Sequence, residues 1–116
     1  MDRIAIGTDA EERATLWLQE QGLVLLQKNA RCRLGEIDLI MRDEQTLVFV
    51  EVRQRRSRAY GGAAASVDWR KQLKIIRTAR YLIAGNPRWS SLTCRFDVIA
   101  FEGDQEPVWY KDAFRA

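Results

Sequence analysis

GEIDLIMRDEQTLVFVEVR, residues Gly35 to Arg53, is two apolar runs separated by the polar residues Asp43 to Thr46. Runs rich in Ile, Leu, Val and Phe on either side of a short polar loop predict a β-hairpin. If the loop is those four residues, Arg42 faces Leu47, and stepping outward puts Asp38 opposite Glu51 and Glu36 opposite Arg53. Opposed residues share a sheet face with Cβ atoms about 5 Å apart. Glu36, Asp38, Glu51 and Arg53 would then make one polar patch on an otherwise apolar sheet. A slip of one residue would destroy the patch, because it turns every side chain to the other face.

Two carboxylates so close in a partly buried place repel each other; one takes up a proton, or a cation sits between them. The chain has no histidine, and its two cysteines, Cys32 and Cys94, are far apart. A histidine general base, a Ser-His-Asp triad and a zinc site of imidazoles or paired thiolates are therefore excluded. An all-oxygen site suits a hard ion, Mg²⁺ or Mn²⁺. Such an ion can polarise a phosphate and acidify a water. The cysteines read as buried thiols of a cytoplasmic protein. No apolar run approaches the ~20 residues a bilayer span needs, and nothing resembles a signal peptide, so neither a membrane nor a secreted location is expected. No organic small-molecule cofactor is implied.

Outward from the hairpin, 116 residues with 47% apolar content predict one small folded domain, residues 1–116. Upstream, "GTDAEERATLWLQEQG" predicts a helix with Thr8 as N-cap, Glu11 three residues on, and Gly22 at its end. Ala10, Ala14, Trp17 and Leu18 recur at helical spacing as its core face. "LVLLQKNAR" is a strand ahead of the hairpin. Downstream, the Gly-containing loop "SRAYGGAAA" leads to a second helix over residues 66–84. "NPRW" breaks that helix, "CRFDVIAF" is a further strand, and "PVWYKDAF" an edge strand. The order α-β-β-β-α-β-β predicts an α/β fold, a mixed sheet of four to five strands flanked by two main helices.

The net charge is only +3, but the basic residues are unevenly placed. In residues 53–80 Asp68 is the sole acid among many Lys and Arg. Arg55, Arg56 and Arg58 follow the third strand. On the second helix Arg70, Lys71, Lys74 and Arg77 gather opposite Ile75, Ile76, Ala79, Leu82 and Ile83. This is either a solvated face or a grip on phosphates, which supply most sequence-independent nucleic-acid affinity. Other residues have structural readings beside functional ones. Glu11 could be only a capping acid, though it sits on the inward side. Glu36 and Arg53 could be a cross-strand ion pair. Asp97 reads as structural, bonding backbone or pairing with Arg95. Trp69, Trp89 and Trp109 read as packing groups rather than base-stacking ones.

"AEERATLWLQEQG", "NARCRLGEIDLIMRD", "LVFVEVRQR", "VDWRKQLKI" and "RFDVI" together resemble the YraN-like group of small bacterial proteins, over about Gly7 to Phe101. That group in turn resembles the PD-(D/E)XK nucleases and archaeal Holliday-junction resolvases. The resemblance implies a restriction-endonuclease-like core and Mg²⁺-dependent phosphodiester hydrolysis. It implies Asp38 and Glu51 as metal carboxylates, the Val52 carbonyl as a further ligand, and Glu11 as an additional acid. Arg53 departs from the pattern, since related sequences carry lysine there. Arginine keeps the charge, but it is planar and effectively never deprotonated.

The leading expectation is a structure-selective DNA endonuclease that recognises shape rather than base sequence. Second comes a nucleic-acid-binding module of the same fold that does not cleave. A protein-interaction domain, third, would show no salt-sensitive DNA binding. A resolvase-like role on two symmetric strands would call for a homodimer.

Overall fold

The computed structural model describes residues 4–55, 66–103 and 106–116, with side chains from residue 9 onward and without that of Arg55. The predicted loop and the nucleic-acid-binding expectations for Arg56, Arg58 and the Arg55 side chain lie outside the described residues.

The elements are helix α1 (Ile4–Glu20), strands β1 (Val24–Cys32), β2 (Gly35–Asp43) and β3 (Thr46–Arg55), helix α2 (Trp69–Ala84), and strands β4 (Thr93–Glu102) and β5 (Val108–Phe114). A single 3₁₀ turn, Pro87–Trp89, separates α2 from β4. The sheet runs β1-β2-β3-β4-β5 in space. Only β3 and β4 are parallel, and α2 is the crossover that parallel neighbours require. The mixed sheet and the α-β-β-β-α-β-β order are those expected.

Each helix covers one sheet face. Ala14 and Leu18 of α1 pack with Leu39, Met41, Val48, Val50, Ile99 and Phe101. Ile75, Ile76 and Ala79 of α2 pack with Ile37, Ile40, Leu47, Phe49, Phe96 and Val98. β3 alternates strictly between the two cores from Leu47 to Val50, as a central strand covered on both faces must.

The helix ends correct the sequence reading at two places. α1 begins at Ile4, so Thr8 lies inside it and is not an N-cap. A Thr8–Glu11 capping box is thereby ruled out, and Glu11 is left without that structural explanation. At the other end Gly22 does stop the helix. With φ +99° it lets the Gly22 and Leu23 amides bond back to the Gln19 and Leu18 carbonyls at 3.0 and 3.1 Å. Leu18 and Leu23 then share a core. α2 begins at Trp69, three residues later than expected, because Asp68 is its N-cap and accepts from the Lys71 amide at 3.0 Å.

Asp97 is structural, as read. Fully buried, it accepts from Arg95 at 3.1 Å, the Trp109 indole at 2.9 Å and the Asp112 amide at 2.9 Å, which ties β5 to β4. Trp89 and Trp109 pack against the cores, whereas Trp69 is 64% exposed, contrary to the packing expectation. As the first residue of α2, Trp69 stands ahead of the turns that meet the sheet. Cys32 is half-buried and Cys94 exposed, so the reading of both as buried is also corrected.

Candidate functional site

The hairpin pairs as its loop length predicts, from Asp43↔Thr46 to Leu39↔Val50. Beyond Leu39 side chains take over the link between strands. Asp38 Oδ2 accepts from the Val52 amide at 2.8 Å, and Glu51 Oε2 accepts from the Asp38 amide at 3.4 Å. The two carboxylates thus stand between β2 and β3 where the backbone ladder would otherwise continue. The gap opens into a cleft of about 240 Å³ lined by Glu36, Asp38, Glu51 and Arg53 from the sheet, and by Lys71, Lys74 and Ile75 from α2.

All four residues of the expected patch therefore share one cleft, but the ion pairs differ from the expected set. Glu36 pairs with Arg31 across β1 and β2 at 3.0 Å, not with Arg53. Arg53 instead folds over the two carboxylates. Its Nη1 donates to the Val52 carbonyl at 3.2 Å and lies 3.7 Å from Asp38 Oδ2, while Nη2 is 3.3 Å from Glu51 Oε1. These separations exceed the ~2.8 Å usual for charge-assisted bonds. The buried Nε has no partner among the described residues.

One guanidinium does not neutralise this site. The Glu51 carboxyl is pushed up to about 8, first by burial and then by the Asp38 charge, with Arg53 pulling the other way. Asp38 is also raised, chiefly by burial, against the Val52 amide and Arg53, which favour its charged form. The cleft is therefore short of positive charge, and Glu51 holds a proton near neutral pH.

The donor set fits a hard divalent ion. Asp38, Glu51 and the Val52 carbonyl, the three oxygens the family resemblance implies, all converge on one cationic group, Arg53. A planar fork meets them loosely, whereas carboxylate and carbonyl oxygens are the donors a compact hard ion prefers. Arg53 occupies these oxygens, so an ion held by them would have to displace it. Among the described residues no three Asp, Glu, Cys or His side chains gather as a metal site, so the set is two carboxylates and a carbonyl. Glu11 does not line the cleft. It lies on α1, bonds the Asn29 side chain, and is raised chiefly by burial, with smaller contributions from Asp38 and Glu36.

The sequence placed Lys71 and Lys74 on an outward-facing grip, and it had no means to show that they wall the cleft. The device that brings them there is Gly35. A Cβ at Gly35 would lie 2.7 Å from Thr78 Oγ1 and 3.2 Å from Lys74 Cε, so its absence lets α2 settle onto the start of β2. The Thr78 hydroxyl is fully buried and donates to the Lys74 carbonyl at 2.8 Å, so it cannot turn aside cheaply. Gly35→Ala is accordingly expected to cost about 1–3 kcal/mol, the usual range for overpacking. A thermal melt would register that as a fall of several degrees. An unchanged melting temperature would mean that α2 does not bear on Gly35 as described.

No described helix is long and apolar enough to cross a membrane. Comparison with known proteins places the chain in a family. The chain is 53% identical over 108 residues to a UPF0102 protein of Nitrosomonas eutropha, covering 93% of this chain and 91% of the relative. It is 52% identical over 115 residues to the UPF0102 protein YraN of Salmonella typhi, covering 98% and 87%. A UPF0102 protein of Alcanivorax borkumensis is 47% identical over 112 residues, covering 93% and 90%. The match to the family profile spans residues 10–101, which include both carboxylates, Arg53 and the two cleft lysines. By this match and these identities the chain belongs to the Uncharacterised protein family UPF0102.

Proposed function

We propose that the protein is a metal-dependent, structure-selective DNA endonuclease, hydrolysing phosphodiesters at the β2–β3 cleft with Mg²⁺ or Mn²⁺. One observation carries the reading: the buried Glu51 carboxylate, the half-buried Asp38 carboxylate and a backbone carbonyl converge in a cleft whose opposite wall carries two lysines. Asp38, Glu51 and the Val52 carbonyl would hold the ion. When bound, the ion supplies Lewis-acid polarisation of the phosphate and lowers the pKa of a water.

The protein's own groups have distinct tasks. Lys71 and Lys74 offset the phosphate charge across the cleft, and as compact ammoniums they supply what a guanidinium at position 53 cannot. Arg53, once displaced from the carboxylates, stabilises charge developing on the phosphate. Glu11, outside the cleft lining, adds a negative charge that Asp38 feels. Arg70 and Arg77 bind backbone phosphates outside the cleft, and Arg55, Arg56 and Arg58 add cationic groups for the same backbone. Such contacts hold any sequence, so selectivity rests on DNA shape.

The test is cleavage of end-labelled single strand, duplex, flap and four-way junction by the purified protein with Mg²⁺ or Mn²⁺. Metal-dependent cutting of at least one DNA is the expected result; none on any of them, at protein concentrations that saturate binding, overturns the assignment.

Arg53 favours a second reading, a DNA-binding protein of the same fold that does not cut, because its guanidinium lies on all three candidate ligand oxygens. Arg53→Lys separates the two. In a working nuclease it is expected to tighten Mn²⁺ binding severalfold, measured by calorimetry, and to keep or raise activity already present. Cleavage that appears only in Arg53→Lys would make the parent protein the binder.

A further inference from the structure

A second groove, about 470 Å³, lies beside the cleft and is lined by Leu34, Trp69, Arg70, Leu73, Lys74 and Arg77. Lys74 lines both, so the two adjoin along that side chain. We propose that this groove is a subsite for an unpaired nucleotide next to the scissile phosphate, with Trp69 as the stacking platform. The preferred substrate is then DNA with a single-stranded arm at the cut, a flap or frayed branch rather than an intact duplex. The proposal rests on the nuclease reading above and specifies its substrate.

The groove combines two features that one ligand satisfies together. Its apolar part is exposed: Trp69 is 64% accessible, Leu73 42% and Leu34 40%. The other three tryptophans pack against the cores or their margins, Trp17 edge-on to Trp109 with centroids 5.7 Å apart. Trp69 alone is set on the surface, and Leu73, one turn further along α2, extends the same face. Around it stand Arg70, Lys74 and Arg77, none of which pairs with a carboxylate among the described residues. The Arg70 guanidinium lies over the indole, 5.3 Å from its centroid.

Intact duplex offers the cations its phosphates but keeps its base faces stacked inside, leaving the indole and leucines without a partner. An unpaired nucleotide offers both a phosphate and a free π-face, and stacking on an aromatic side chain accepts any base. An apolar protein partner would leave the three cations uncompensated, and an acidic one would not need the ring. With Lys74 on the margin of both, a base stacked in the groove would lie next to a phosphate held in the cleft.

The experiment is fluorescence anisotropy of labelled single strand, flap and blunt duplex in EDTA, where binding is read without cleavage. Wild type, Trp69→Ala and Trp69→Phe are compared, with molar mass followed by light scattering. Stacking worth about 1–3 kcal/mol per base predicts a loss of roughly 5- to 150-fold on single strand and flap for Trp69→Ala. Duplex affinity should change less than about twofold, and Trp69→Phe should restore most of the loss. Equal binding of single strand and flap by Trp69→Ala and wild type overturns the subsite. If metal-dependent cleavage persists in that case, the nuclease reading stands without it. A change in molar mass with DNA binding unaltered makes the groove a contact between copies of the chain and also overturns the subsite. If wild type binds none of the DNAs in a salt-sensitive way, both readings fall together.

Discussion

Asp38→Ala is expected to lower metal-dependent DNA cleavage by about 10³-fold or more while leaving DNA affinity within a few-fold of wild type. A loss of that size corresponds to about 4 kcal/mol of transition-state stabilisation. The cleft offers two carboxylates and one carbonyl, so losing Asp38 removes half of the anionic charge that would hold an ion. The cations proposed to bind backbone phosphates belong to α2, to the last position of β3 and to the sequence that follows it, and the substitution leaves them unchanged. Alanine also strands the Val52 amide, which Asp38 Oδ2 accepts at 2.8 Å. A buried amide left without its acceptor costs about 1–3 kcal/mol, and the half-buried Val52 amide falls at the low end of that range. Asp38→Asn separates the two effects, because its amide oxygen can still accept that bond while the charge is gone. Both variants should be inactive, with the asparagine protein keeping the melting behaviour of a paired β2–β3 edge. Undiminished cleavage by Asp38→Asn would remove Asp38 from the site.

Glu51→Gln should have the second largest effect, on stability and with a defined dependence on pH. Burial and Asp38 push the Glu51 carboxyl from 4.5 to about 8 in the folded protein. Between those values the folded chain keeps a proton that the unfolded chain has released. Stability therefore falls as pH rises through this window, is fully present below about 4.5, and levels off above about 8. Glutamine cannot ionise, so the variant should match wild type near pH 4.5 and be the more stable protein at pH 8–9. Each tenfold change in proton affinity on folding is worth about 1.4 kcal/mol. The gap at alkaline pH should therefore reach a few kcal/mol, on the order of 10 °C in melting temperature. Ions that bind the ionised carboxylates should narrow the gap. Mn²⁺ is expected to raise the wild-type melting temperature at pH 8–9 and to leave Glu51→Gln nearly unmoved. Parallel melting-versus-pH curves for the two proteins would mean that Glu51 is not held protonated in the fold.

The hairpin was legible in the sequence because two local features agreed. Apolar runs named the strands, and the length of the polar loop between them fixed the pairing that brings Asp38 and Glu51 together. The strand order along the chain and the buried face of α2 were legible for the same reason, since period-2 and period-3.6 patterns report which side of an element meets a core. Helix starts were less so. A Thr-x-x-Glu pattern suggested a cap at Thr8, yet α1 begins at Ile4, while the working cap of α2, Asp68, lay inside the stretch read as helix. Caps depend on where the chain enters the helix, and several residues nearby can supply the oxygen.

The tertiary structure decided what the sequence left open. Composition and spacing determined an α/β fold around a mixed sheet, a pair of adjacent carboxylates, and a chemistry without histidine or thiolate zinc. They could not say that Arg53 would fold onto the carboxylates rather than onto Glu36, since both lie within reach of a long side chain on the same sheet. Nor could they place Lys71 and Lys74 in the cleft or leave Trp69 bare beside it. Those outcomes depend on how closely α2 approaches β2, and that distance is set by Gly35 against Thr78, residues 43 positions apart in the chain. Local patterns report which face of an element is buried; contacts between distant elements decide which polar groups meet at its edge.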